Sequence, residues 1–159
     1  MLLTHDPILE SRSLTWADES ACAAWAASLA RNASLNDAFI ELQGPLGAGK
    51  TTFVRHLLRA LGVGGRIRSP TYSVVETYEL PSLTIAHFDF YRFDDPREWA
   101  DAGLRDLFAA RGLKLAEWPE KAADALPRPD LRLTLDPQPD DSRLVTAEAF
   151  SERGVLLLR

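Results

Sequence analysis

The segment Gly44-Pro45-Leu46-Gly47-Ala48-Gly49-Lys50-Thr51 restricts what this chain can become more than any other stretch of it. It has the spacing G-x-x-x-x-G-K-[ST], and it also has the setting that this spacing needs. Ahead of it, Ala38-Phe39-Ile40-Glu41-Leu42-Gln43 reads as a short strand. Behind it, Phe53, Val54, Leu57, Leu58 and Leu61 form the apolar stripe of a helix that Gly62 stops. Between a strand and a helix, such glycines let backbone N–H groups turn inward at a helix N-terminus, where the dipole favours an anion. Lys50 then supplies a point charge for the β- and γ-phosphates, and the Thr51 hydroxyl is a ligand for Mg²⁺. The expectation is a phosphate-binding loop for a Mg-nucleotide, with Gly47, Ala48, Gly49, Lys50 and Thr51 at its centre.

The remaining elements follow from pattern. Asp18 to Ala30, with Cys22, Trp25, Ala26 and Leu29 spaced by three and four, predicts an amphipathic helix capped by Thr15 or Asp18. Residues 62–70, with three glycines and two arginines, read as a mobile loop. Thr71 to Tyr78 and Leu83 to Phe90 predict strands joined by a turn at Pro81-Ser82. Asp95-Pro96 opens a helix or helix pair to about Ala110, Gly112 stops it, and Leu113 to Ala116 is a short strand leading to Glu117-Trp118-Pro119. Leu131 to Leu135, Leu144 to Ala147 and Val155 to Leu158 read as an antiparallel β finish, with an exposed turn at residues 137–141. Trp16, Trp25 and Trp99 fall on helices or their starts, as packing residues. The sum is an α/β fold: a three-layer P-loop NTPase with a mixed sheet and antiparallel C-terminal strands, in a single domain over residues 1–159.

Composition narrows the partners. The chain is 46% apolar and 26% charged, an ordinary globular balance. Its apolar runs fall far short of the ~20 residues of a membrane helix. Met1-Leu2-Leu3-Thr4-His5-Asp6-Pro7 lacks the basic and then apolar regions of a signal peptide. No membrane contact and a cytoplasmic location are expected. Cys22 is the only cysteine, which excludes an internal disulfide and a cysteine-built metal cluster. A net charge of −5 opposes an autonomous grip on DNA or on any nucleic-acid backbone. Arg55, Arg59, Arg66 and Arg68 read as a solvated face rather than a basic patch.

A phosphate loop does not by itself separate a kinase, a GTPase and an ATPase. Catalysis also needs an acid near the magnesium, usually at the end of a neighbouring strand. Asp89 ends the run Leu83-Thr84-Ile85-Ala86-His87-Phe88, and Glu117 ends Leu113 to Ala116. One strand-end acid is more often a helix cap or a surface charge. Two beside one phosphate loop point to function, as metal ligands or as groups acting on the attacking water. His87 alternates with Asp89 and Tyr91 along its strand and reads as structural.

Three further motifs follow the loop in order: Ser69-Pro70-Thr71-Tyr72, His87-Phe88-Asp89-Phe90-Tyr91-Arg92 and Glu117-Trp118-Pro119. With Gly47-Ala48-Gly49-Lys50-Thr51-Thr52 they resemble the bacterial TsaE (YjeE) family, the ATPase of tRNA threonylcarbamoyladenosine biosynthesis, over roughly residues 14 to 136. The resemblance implies ATP and Mg²⁺ as ligands. It also implies TsaD-like and TsaB-like partners, with threonylcarbamoyl transfer to tRNA performed by the TsaD-like protein and tRNA met only indirectly. By position it makes Lys50, Asp89 and Glu117 catalytic, puts Thr51, Asp89 and Glu117 at the metal, and sets Thr52 and Trp118 beside the nucleotide. Ser69 to Tyr72 becomes a switch-like segment, in which Thr71 senses the γ-phosphate. Pro45 departs from the family, which commonly has Asp there. For Tyr72, Tyr91 and Trp118 a half-buried packing role stays open, and for Arg92 both a finger on the γ-phosphate and an ion pair do. Two other functions compete: a small-molecule kinase, disfavoured because the C-terminal third offers strands instead of a basic lid, and a nucleotide-gated assembly switch. GTP is disfavoured because no N-K-x-D-like segment occurs.

Overall fold

The computed structural model describes residues 7–70, 74–93, 103–122 and 125–159. Among these described residues, seven strands make one mixed sheet in the order β1-β7-β6-β2-β5-β4-β3. They are β1 (Glu10–Trp16), β2 (Phe39–Gln43), β3 (Val75–Leu80), β4 (Leu83–Asp89), β5 (Leu113–Glu117), β6 (Leu131–Pro137) and β7 (Arg143–Ala149). The strand ahead of the phosphate loop, β2, lies between β5 and β6 and runs parallel to both. β4 continues the parallel set beside β5, with β3 antiparallel at that edge, and β7 and β1 are antiparallel at the other.

Alternation along the buried strands divides the interior into two cores. Ile40 and Leu42 of β2, Ile85 of β4, and Leu113 and Leu115 of β5 share one cluster with α1 (Glu19–Ala30) and α2 (Lys50–Leu61). That cluster includes Phe53, Val54, Leu57 and Leu58, the stripe expected of α2, and Trp16 stacks on Phe53 with centroids 5.5 Å apart. Phe39, Ala86, Phe88 and Ala116 face the other way, where Phe108 of α3 (Leu104–Ala109) packs against Phe39 and Phe88. Helices therefore cover both faces, and the α/β three-layer reading holds. Among the described residues no helix is long and apolar enough to cross a membrane.

The ends of the sheet differ from expectation. Val155 to Leu158 do not form a strand: α4 (Glu152–Leu157) takes their place, capped by the Ser151 hydroxyl, which accepts from Gly154 N at 3.0 Å. Both sides of β7 are already paired, by β6 and by β1, so a strand following it has no adjacent edge to join. Four apolar residues in a row carry no periodicity to separate the two outcomes. β1 itself was not evident, because Glu10-Ser11-Arg12-Ser13 lies largely exposed at the edge and lacks an apolar face. Thr15 pairs within β1, and Asp18 is the cap of α1, its carboxylate accepting from Ala21 N at 2.9 Å. Trp16 accordingly ends a strand instead of starting a helix, while Trp25 is on α1 as expected. β3 starts at Val75 and runs to Leu80, so its far end lies beyond the expected Tyr78. Thr71, Tyr72, Asp95, Pro96 and Trp99 lie outside the described residues.

Candidate functional site

The loop between β2 and α2 has the backbone that its glycines allow. Gly44 sits at φ 150, and a Cβ there would come within 2.6 Å of the Leu135 carbonyl oxygen, so only glycine fits against β6. Gly49, at φ 103, is the left-handed residue that starts α2. Pro45 and Leu46 are exposed at the tip, and the Pro45 carbonyl accepts from Ala48 N at 3.1 Å. Lys50 is buried, donates to the Gly44 carbonyl, and holds its ammonium 3.6 Å from the centroid of the Trp118 ring. Burial pulls the Lys50 ammonium below its ordinary pKa, and the nearby carboxylates of Glu117, Glu120 and Asp89 oppose that shift.

The acids come from the strand ends. β4 and β5 run parallel in a register that pairs Asp89 with Glu117 and His87 with Leu115. Leu113, Leu115 and Glu117 alternate onto the α2 face of the sheet. Glu117 Oε1 accepts from the Thr51 hydroxyl at 2.8 Å, and Oε2 lies 2.6 Å from His87 Nε2. Glu117 is buried, and Trp118 after it has φ 56, an uncommon value for a residue with a side chain. That turn puts the indole over Lys50, and Tyr91 packs on its ring at 5.0 Å.

Asp89 is half-buried. Burial raises its carboxyl above the usual range, the Tyr91 N–H bonded to Oδ1 at 3.0 Å lowers it again, and the Glu117 charge adds to the rise. The folded protein therefore holds this proton more tightly than the unfolded chain. The resulting stabilisation is complete below the ordinary Asp value and is lost as pH rises through the raised one. Asp89→Asn is expected to melt at or above the wild-type temperature at about pH 7, and to lose that advantage near pH 4. Parallel thermal melts at the two values check this, and a lower melting temperature for the variant at neutral pH contradicts it.

A cleft on the other side of the loop is lined by Trp16, Asp18, Cys22, Gly49, Thr52 and Arg143 among others. Arg143 was not read from the sequence. Its guanidinium donates to the Ala48 carbonyl at 2.7 Å, to that of Gly47 at 3.4 Å, and to that of Asp141 at 2.6 Å. It thus engages two carbonyls of the loop from the side of this cleft. No local pattern marks this residue, because the β6–β7 turn is what carries it across. Arg143→Met is expected to weaken Mg-ATP binding by about tenfold, the worth of roughly one charged hydrogen bond. Calorimetry giving an unchanged affinity would count against that role.

Of the site residues that the sequence predicts, Gly47, Ala48, Gly49, Lys50, Thr51, Thr52, Asp89, Glu117 and Trp118 lie in or around this loop. Arg92 is exposed and forms no ion pair among the described residues. Ser69 is exposed, and Thr71 is outside the described residues.

The family model described as "Threonylcarbamoyl adenosine biosynthesis protein TsaE" matches residues 16–145. The tRNA threonylcarbamoyladenosine biosynthesis protein TsaE of Haemophilus influenzae is 41% identical over 115 residues, 72% of each chain. Its namesake in Bacillus subtilis is 35% identical over 118 residues, 74% of this chain and 73% of that one. The crystal structure of Bacillus subtilis YdiB superposes with a TM-score of 0.75 at 27% identity, covering 94% of this chain and 92% of that one. With a P-loop fold, a family-model match that runs from Trp16 to Val145 and relatives at 35–41% identity, the chain belongs to the TsaE family of tRNA threonylcarbamoyladenosine biosynthesis.

Proposed function

We propose that this chain is a Mg-dependent ATPase whose hydrolysis supports turnover of a TsaB–TsaD complex in threonylcarbamoyl transfer to an adenosine of tRNA. The observation that carries the reading is the Thr51–Glu117 contact at 2.8 Å, with Asp89 the neighbour of Glu117 on the adjoining strand. A hydroxyl and two carboxylates are hard oxygen donors, the class that Mg²⁺ takes. Among the described residues no three His, Cys, Asp or Glu side chains group as a metal cage. When bound, Mg²⁺ supplies charge neutralisation at the β- and γ-phosphates.

The chain's own groups have separable tasks. The loop N–H groups bind phosphate oxygens, and Lys50 leaves the Gly44 carbonyl and the Trp118 ring to meet the terminal phosphates. Thr51, Glu117 and Asp89 are the residues that would hold the metal ion, Glu117 and Asp89 would also orient the attacking water, and Trp118 shields that side from solvent. The cleft along Thr52 and Arg143 takes the rest of the nucleotide. Residues 62 to 72 are the segment that changes with nucleotide state and meets the partner. In this reading Thr71 senses the γ-phosphate.

The test is reconstitution: tRNA modification by TsaB and TsaD, with and without this protein and ATP. Turnover that needs both is the expected result, and turnover independent of either would sink the proposal. The net charge of −5 adds a second expectation. The isolated chain is expected to leave tRNA unshifted at micromolar concentration, and a submicromolar, salt-sensitive shift would contradict it.

A further inference from the structure

His87 has a task that its strand position alone does not suggest. It is 1% exposed, and among the described residues its Nδ1 has no hydrogen-bond partner. A histidine kept purely for packing leaves such a nitrogen unmet at a cost, and an apolar side chain would avoid it. The other ring nitrogen makes a 2.6 Å contact with Glu117 Oε2. The opposite oxygen of the same carboxylate accepts from Thr51 at 2.8 Å. The Glu117 carboxylate is therefore gripped at both ends, by β4 through His87 and by the first turn of α2 through Thr51. The two grips differ in permanence. The Thr51 hydroxyl is in the first turn of α2, directly after the phosphate loop, where a bound nucleotide and cation would compete for it, whereas His87 sits on β4, which β5 separates from β2.

We propose that His87 is the positioning residue of Glu117. It donates Nε2–H to Oε2 and so holds the carboxylate in one orientation when Thr51 releases Oε1, which leaves Oε1 turned toward the phosphate loop as the free acceptor. Nδ1 has no partner among the described residues, so Nε2 is the nitrogen through which the ring holds the carboxylate. The backbone contributes as well, since the Glu117 carbonyl accepts from Phe90 N at 3.0 Å and the next residue is held at φ 56. Without His87, the side-chain torsions of Glu117 regain freedom at the moment its position matters. This inference rests on the reading of Glu117 as a functional acid.

The experiment compares His87→Leu with His87→Gln, which keeps an N–H near the position of Nε2. In His87→Leu, turnover at saturating Mg-ATP is expected to fall by about 10- to 100-fold, as for other residues that orient a metal-site ligand, with ATP affinity within about twofold of wild type. His87→Gln is expected to recover most of that loss. Ring-nitrogen NMR of the nucleotide-free protein is expected to show a protonated Nε2 and a bare Nδ1, both shifting in Glu117→Ala. Full turnover in folded His87→Leu overturns the proposal. So does a glutamine variant that restores the melting temperature but not the rate, or an Nδ1–H tautomer in the wild-type protein. If the wild-type protein hydrolyses no ATP with its partners present, the proposed activity fails, and the ring-nitrogen spectrum still decides the His87 contact.

Discussion

Lys50→Ala is expected to abolish measurable Mg-ATP binding, or, where residual binding survives, to cut hydrolysis by about 10²–10³-fold, the scale of removing one preorganised charge donor. The fold is expected to survive. Lys50 is 5% exposed, and burial already lowers its affinity for a proton, so its charge is held at a cost. What the ammonium has there is a carbonyl of its own loop and the face of Trp118. Both are neutral groups, weaker partners for a cation than phosphate oxygens. Alanine removes a buried cation along with its modest contacts, and the stripe of Phe53, Val54, Leu57 and Leu58 that anchors α2 is untouched. Calorimetry and a melt decide it together. Wild-type affinity in the variant refutes the role, and a collapsed melt would show that Lys50 is structural.

Glu117→Ala is the second large effect, and it takes the opposite form: turnover falls by about 10²–10³-fold while ATP affinity changes by no more than about threefold. The carboxylate lies at a strand end, against Thr51 and His87, and touches no group of the cleft beside Arg143. Removing it strands the His87 and Thr51 donors in a buried space, so some stability is lost as well. Glu117→Gln separates the two consequences. It keeps an oxygen and a similar volume, so its melt is expected near wild type, with the rate still low. Asp89→Ala shifts the same balance toward slow turnover with intact binding. Full turnover by either alanine variant in the assembled system would show that acid to be misassigned.

The difference between these two effects reflects where the residues lie. Lys50 belongs to a contiguous motif, and its role was legible because eight successive residues carry both the bend and the charge. Glu117 was legible only as an acid at the end of a short apolar run. Its bonds to Thr51 and His87 span 66 and 30 residues of chain and exist because β5 lies between β2 and β4. His87 shows the limit most clearly. Alternation along β4 assigns it a face of the sheet, and nothing local tells what waits on that face.

The sequence alone determined the elements whose physics is local. A glycine-rich bend, a helix with one apolar stripe, and short apolar strands each depend on neighbours within a few residues, and the α/β class follows from their order. Tertiary structure decided what depends on pairing. It inserted β1 at an edge, where an alternating apolar face is not required, and it turned Val155 to Leu158 into a helix because both sides of β7 were already occupied. It also carried Arg143 across a hairpin onto two carbonyls of the phosphate loop, and joined His87 to Glu117 through the register of parallel strands. Long-range pairings of this kind leave no trace in local periodicity, because a hydrogen bond between distant residues constrains neither one's immediate neighbours.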